Sequence, residues 1–511
     1  MFRTIRAFAL AFAILALTTA ACLAEFSVPV NSTGGVFDQP SSVANGTTVH
    51  VAFIGPSGTP GAFSLYYASI NGASDFTSNL LTRTTAGFVV TPSVAILDNG
   101  YTDVRHPKIA LLSADRVVIL FQAKSVSPPG DVRLFIAQLT LSNNAIVSTT
   151  VREAQGIPAG DVQDISFGIV AADNTARAAF SQRASGAAGG LFDVWYARIS
   201  LDNDAVVRPP LQLSTFTDSN GAQPIPNLKL DSQNRSHIVW AAGGPTLDNS
   251  SSIYYAMVKE FVDPSRGNPD NAAIGATGVI DRIGHWAHPQ MLVSPNPTTQ
   301  VYYVVAVDES VAGRAGNLAW VTLNPDAAPQ DNNAVLLGTN NLFLLTPPGE
   351  AILSSSFDLY RPEAHLDLGN RIHFTGYGDP HSAPIYMAVG TTTSYPYFSF
   401  LTPPTSIGHG SNAASYALDN DYSKAAFSFI GGKAVIFWSG TDNTNASNRN
   451  LMVTGLPTIN EFVLFKEKGC STAPGGQATL PDALAGILML GVPLAALKLR
   501  SILRKRGRVA A

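Results

Sequence analysis

The fold class that this sequence predicts is all-β, with repeated four-stranded units closed into a β-propeller of seven blades. Three observations carry that reading. One six-residue aromatic pattern recurs seven times between Leu65 and Ser439, at intervals of 51 to 69 residues. Each copy sits among short β-branched and aromatic runs bounded by Asn, Asp, Gly and Pro, the composition of strands and tight turns. No window of about 11–18 residues in the body holds a sustained apolar stripe at helical spacing.

Composition agrees. The chain has 511 residues, of which 46% are apolar and 13% charged, about half the usual charged share. It carries 43 Gly and 33 Pro, enough for many turns and few long helices. Length alone suggests about two to four domains, but blades packed side by side let a single ring absorb residues 25–465. The formal charge of −4 removes any global reason to expect a nucleic-acid partner. The two cysteines, Cys22 and Cys470, lie near opposite ends. The body therefore holds no disulfide scaffold, no cysteine zinc site and no thiol nucleophile.

Residues 1–24 read as a signal peptide. Arg3 and Arg6 form its positive start, Ala7 to Leu17 its apolar core, and Ala24 the residue before cleavage. Thr19-Ala20-Ala21-Cys22 offers a second reading, a bacterial lipoprotein box with lipid on Cys22. Export follows from both.

The repeats fill residues 25–465. The pattern reads Leu65-Tyr66-Tyr67-Ala68-Ser69-Ile70, then Leu134-Phe135-Ile136-Ala137 and Val194-Trp195-Tyr196-Ala197. It continues at Ile253-Tyr254-Tyr255-Ala256, Leu318-Ala319-Trp320-Val321 and Ile385-Tyr386-Met387-Ala388, with a degenerate seventh copy at Ile436-Phe437-Trp438-Ser439. That weak copy leaves six and eight blades as alternatives. A second strand precedes most copies, as at His50-Val51-Ala52-Phe53 and His237-Ile238-Val239-Trp240. Upstream again, a proline opens the unit at Gln39-Pro40, His106-Pro107, Gln223-Pro224, His288-Pro289 and Arg361-Pro362. The aromatic pairs are expected to pack between blades.

Asp231 to Trp240, followed by Ile253-Tyr254-Tyr255-Ala256, resembles a blade of the sialidase-like (BNR-repeat) propellers. The Ser-x-Asp-x-Gly-x-Thr-Trp turn frequent in those proteins has no copy here. The resemblance thus implies the fold more strongly than an activity.

The C-terminal end carries a second address. Residues 466–482 form a linker containing Gly469-Cys470, residues 483–497 an apolar transmembrane segment, and residues 498–511 a tail with six basic residues. A cationic stop after an apolar run leaves the C-terminus in the cytoplasm. The order of Cys, Thr479-Leu480-Pro481, apolar segment and basic cluster resembles bacterial C-terminal sorting tails of the JDVT-CTERM type. That likeness implies an envelope sorting protease acting near Cys470 and delivery to the cell surface. A plain single-pass anchor is the alternative. Removing the +2 of the signal and the +5 of residues 469–511 from −4 leaves the body at −11.

Catalysis by a sialidase-like enzyme needs an arginine cluster for a carboxylate, a Tyr–Glu pair and an acid/base carboxyl. Residues flanking the blade-opening prolines are placed to reach a propeller mouth. They are Asp38, Arg105, His106, His285, Trp286, His288, Arg361 and Glu363. Two arginines fall short of the sialidase set, and no Tyr–Glu pair is evident from spacing. The expectation is a non-catalytic module binding a glycan or a protein through that mouth, with a sialidase-like glycan-active enzyme as the alternative. His285-x-x-His288 lies in a turn context unsuited to zinc, so neither metal nor cofactor is expected.

Overall fold

The computed structural model describes residues 26–30, 35–57, 62–71, 89–90, 94–96, 101–125, 130–184, 192–214, 224–243, 251–261, 271–281, 286–295, 301–308, 317–323, 343–344, 359–367, 371–378, 384–391, 398–406, 425–430, 433–442 and 445–457. The expected signal, Cys22, Ala24, His285, the 466–482 linker with Cys470, the 483–497 segment and the 498–511 tail lie outside them. Among the described residues no helix is long and apolar enough to cross a membrane.

Those residues are almost entirely strand, arranged as seven antiparallel sheets. Sheet 1 contains Asp38–Asn45, Thr48–Pro56, Phe63–Asn71 and two short outer segments, Val89–Val90 and Val94–Ala95. Sheet 2 runs Tyr101–Ser113, Arg116–Ser125, Arg133–Ser142 and Ala145–Glu153. Sheet 3 has Gly160–Val170, Thr175–Ala184, Asp193–Ser200 and Leu211–Gln212. Sheet 4 has Asn227–Leu230, Ser236–Gly243, Ser251–Phe261 and Asn271–Asp281. Sheet 5 has Trp286–Val293, Tyr302–Asp308, Asn317–Leu323 and Phe343–Leu344, and sheet 6 Leu359–Leu366, Ile372–Gly378, Pro384–Thr391 and Phe398–Ser406. Sheet 7 joins Ala426–Ile430, Lys433–Asp442 and Asn445–Pro457 to the N-terminal strand Phe26–Pro29.

The sheets stack face to face in chain order, and the last returns to the first. Leu65 and Tyr67 of sheet 1 pack with Val117, Ile119 and Phe121 of sheet 2. Leu120 and Ile136 meet Phe180 and Ile199 of sheet 3, and Tyr196 meets Ile238 and Trp240 of sheet 4. Tyr255 meets Tyr302 and Val304 of sheet 5, whose inner strand contacts that of sheet 6. His365 and His373 of sheet 6 lie edge-on to Phe427 and Phe429 of sheet 7, at 4.2 and 4.7 Å. Val435 and Val453 of sheet 7 then pack with Val51 and Phe53 of sheet 1. This closed ring is the architecture of a β-propeller. The apolar cores thus lie between sheets, and the recurring aromatics are what fill them.

Closure is tied by strand pairing and by charge. Phe26 opposes Gly455 and Pro29 opposes Met452. Asp38 receives hydrogen bonds from Ser439 at 2.8 Å and Arg449 at 2.9 Å. Asp38 is therefore part of the clasp between sheets 1 and 7.

Sheet 7 also corrects the repeat reading. Ile436-Phe437-Trp438-Ser439 lies in its second strand, where Trp438 pairs with Met452. In sheet 4 Trp240 pairs in the same way with Tyr254. The seventh copy is accordingly Leu451-Met452-Val453-Thr454, 66 residues after Ile385. The two strands were confusable because both are buried on both faces and therefore both apolar.

Candidate functional site

The inner strands of sheets 1, 2, 3, 5 and 6 carry a β-bulge near their start. Register shifts occur at Asp38/Ser41, Arg105/Lys108, Gln163/Ile165, Ala287/Gln290 and Tyr360/Glu363. At four of them a non-glycine residue adopts positive φ: Gln39 (53°), His106 (49°), Asp164 (41°) and His288 (49°). Such a bulge kinks the strand and re-aims the side chains on either side, at a backbone cost of order 1–3 kcal/mol. Neighbouring bulges touch. The His106 N–H donates to Gln39 Oε1 at 2.7 Å, and His106 Nδ1 lies 3.4 Å from Asp164 Oδ1.

Just beyond these bulges Ser41, Lys108, Ser166, Gln290 and Glu363, together with Asn227 at the start of the sheet 4 inner strand, occupy one equivalent level of the ring. Three of them accept a hydrogen bond from the next sheet. Ile109 N–H donates to Ser41 Oγ at 3.2 Å, Leu228 N–H to Ser166 Oγ at 2.8 Å and Met291 N–H to Asn227 Oδ1 at 2.9 Å. This register identifies Pro226, not Pro224, as the blade-opening proline of sheet 4.

These residues surround a cavity of about 130 Å³. Its lining includes Gln39, His106, Asp164, Ser166 and Asn227, with Lys108, Lys229, Gln290, Glu363 and His365 supplying further polar and charged groups. Glu363 and His365 are each 25% exposed and joined by a 2.9 Å hydrogen bond. Burial alone would raise the Glu363 carboxyl, but the His365 hydrogen bond and the positive fields of His365, Lys108 and Lys229 leave it below the usual range. His365 is lowered, first by burial and also by Lys229, although Glu363 opposes the shift. Lys229 is lowered by burial and by Lys108, with Glu363 pulling the other way. Among the described residues, neither the Lys108 nor the Lys229 ammonium has a hydrogen bond or an ion pair.

The sequence-derived mouth residues separate under this geometry. His106 and Glu363 line the cavity. Arg105 pairs in register with Gln122, and His288 sits on its bulge, but neither lines the cavity. Trp286 opposes Asp308 at the start of the sheet 5 inner strand, and Arg361 lies two residues before Glu363 in sheet 6. Lys108, Lys229, Asp164 and His365 were missed. A signal existed: five of the six residues at the equivalent level stand directly after proline. Among the described residues no group of three His, Cys, Asp or Glu side chains is placed to hold a metal ion.

No family model matches the chain, and no curated protein matches it either. Solved structures of similar shape include an α-L-arabinanase from Penicillium chrysogenum complexed with arabinobiose. It is 10% identical with a TM-score of 0.43, over 85% of this chain and 98% of that one. A mutant puromycin hydrolase complexed with PGG is 13% identical, TM-score 0.42, over 84% of this chain. This chain spans about half of that hydrolase, 54%. An α-L-arabinofuranosidase from Lactobacillus brevis is 10% identical, TM-score 0.33, over 60% and 95% of the two chains. At these values the likeness assigns no activity, and function must be argued from the channel itself.

Glycoside hydrolysis requires a carboxyl group that keeps its proton near neutral pH beside a second, ionised one. Glu363, in the cavity, is shifted the wrong way for the acid. Asp204 is the described carboxyl that burial pushes upward, and it lies at the sheet 3 hairpin accepting from Gln138. Glu363 and Asp164 are the described carboxyl groups that line the cavity.

Proposed function

We propose that this protein is an exported bacterial seven-bladed β-propeller, displayed at the cell envelope, that binds a glycan or a protein through its channel mouth without catalysis. The observation that carries this reading is a polar cavity in which the Lys108 and Lys229 ammonium groups have no ion pair among the described residues, while Glu363 is held below its usual range. Export rests on residues 1–24. The closing strand begins at Phe26, so cleavage after Ala24 leaves the clasp intact. Retention in the membrane rests on residues 483–497 and the basic tail. Processing by an envelope sorting protease rests on Gly469-Cys470. No nucleic-acid partner is proposed for a body of charge −11.

The decisive experiment incubates the purified full-length protein with a panel of glycosidase and polysaccharide-lyase substrates, alongside Glu363→Gln and Arg105→Ala variants. Absence of turnover, together with retained binding on a glycan or surface-protein array, is expected. Turnover abolished by either substitution would establish the sialidase-like alternative. Fractionation of cells expressing the chain with and without residues 469–511 tests the address; loss of envelope retention on truncation is expected.

A further inference from the structure

Lys108 and Lys229 come from sheets 2 and 4 and open into one cavity, yet neither ammonium has a counter-ion within 4 Å among the described residues. An amine withdrawn from bulk water is costly unless an opposite charge or hydrogen bonds compensate it. The one carboxylate close enough to act on both, Glu363, is committed by hydrogen bond to His365. The other described carboxylate of the cavity, Asp164, lies 3.4 Å from His106 Nδ1, so neither acid contacts an ammonium, inside a body of −11. Elsewhere the chain does pair its buried cations: Arg177 and Arg198 share Asp173, and Arg235 holds Asp231.

The remaining lining sets the class of ligand. Ser41, Ser166, Asn227 and Gln290 present hydroxyl and amide groups around the same level as the lysines, suited to a polyhydroxylated molecule. A volume of about 130 Å³ is close to that of a cavity holding one six-membered ring, and too little for a folded peptide segment.

We propose that the channel is a binding site for a single acidic sugar residue, whose carboxylate bridges Lys108 and Lys229 while its hydroxyls meet Ser166, Asn227 and Gln290. This rests on the binding-module reading and specifies its ligand as a uronate. The site is preorganised because bulges on rigid inner strands place it.

Calorimetric titration of the full-length protein with glucuronate, glucose and acetate tests the assignment. Glucuronate is expected to bind, more weakly as salt rises, with glucose and acetate each at least about tenfold weaker. Lys108→Gln and Lys229→Gln should each weaken glucuronate by about tenfold or more, the scale for a desolvated charge partner. Glu363→Gln should tighten it several-fold, a gain that misfolded protein could not produce. Unchanged glucuronate affinity in both lysine variants, or no binding of glucuronate at all, overturns the proposal. Glucose binding equal to glucuronate also overturns it while leaving the binding-module reading intact. Turnover of a glucuronide with lysine-dependent affinity would overturn that reading and support the acidic-sugar site.

Discussion

Two groups of charged side chains in this ring have opposite logic. At the sheet 4 hairpin, Asp231 accepts from Arg235, from the backbone N–H groups of Gln233 and Arg235, and from Tyr302 of the next sheet. His237 Nε2 lies 3.1 Å from the same carboxylate, and its Nδ1 shares a 2.8 Å hydrogen bond with Tyr255. Sheet 6 repeats the arrangement with Asp367, Arg371 and His373. Every charge there is answered within the chain. In the channel, Lys108 and Lys229 are not. The difference separates charge that holds blades together from charge available to a ligand, though both are encoded by ordinary polar residues.

Substitution at Asp231 should break this comparison most sharply. Asp231→Ala leaves Arg235 and His237 buried without their carboxylate, and should cost about 3–5 kcal/mol in urea unfolding. Lys229→Met removes an unanswered charge, and should change stability by under about 1 kcal/mol or raise it. Equal losses in the two variants would erase the distinction.

Acid titration gives the next largest effect. His50 has Tyr67 as a 2.7 Å partner and no carboxylate contact comparable to that of His237. Burial lowers it from 6.5 to about 4. Because the folded value is depressed, its contribution is present above pH 6.5 and disappears as pH falls through about 4. The full shift corresponds to about 3 kcal/mol. A His50→Gln variant should show a flatter stability profile across that window, measured by denaturation at fixed pH. A profile identical to the parent's would place the acid sensitivity elsewhere.

The smallest effect belongs to the seams between sheets. Ser166→Ala removes the acceptor for the Leu228 N–H, leaving that group unsatisfied in a buried strand. A loss of about 1–2 kcal/mol is expected, with sheet 3 and sheet 4 amides gaining hydrogen exchange together. Exchange confined to sheet 3 would mean that the seam carries less than its geometry implies.

The strands were legible because their signal is local. Tyr66, Tyr67, Tyr254 and Tyr255 announce third strands by alternation and turn residues within a dozen positions, and proline marks the inner strands. The seventh unit was misread for the same reason: Ile436-Phe437-Trp438 and Leu451-Met452-Val453 are equally apolar, and only the pairing of Trp438 with Met452 tells them apart. Of the expected mouth residues, His106 and Glu363 reached the cavity. Arg105 did not, because a bulge redirects the side chains around it, and a sequence does not display bulges.

By itself the sequence determined an all-β chain, the period of its units and the unusual character of its two ends, since periodicity and composition act over a few residues. Tertiary structure alone decided that Lys108, Lys229 and Glu363, separated by 121 and 134 residues, share one cavity. Their meeting depends on how many sheets close the ring and how each inner strand kinks. Neither property is written in any one repeat.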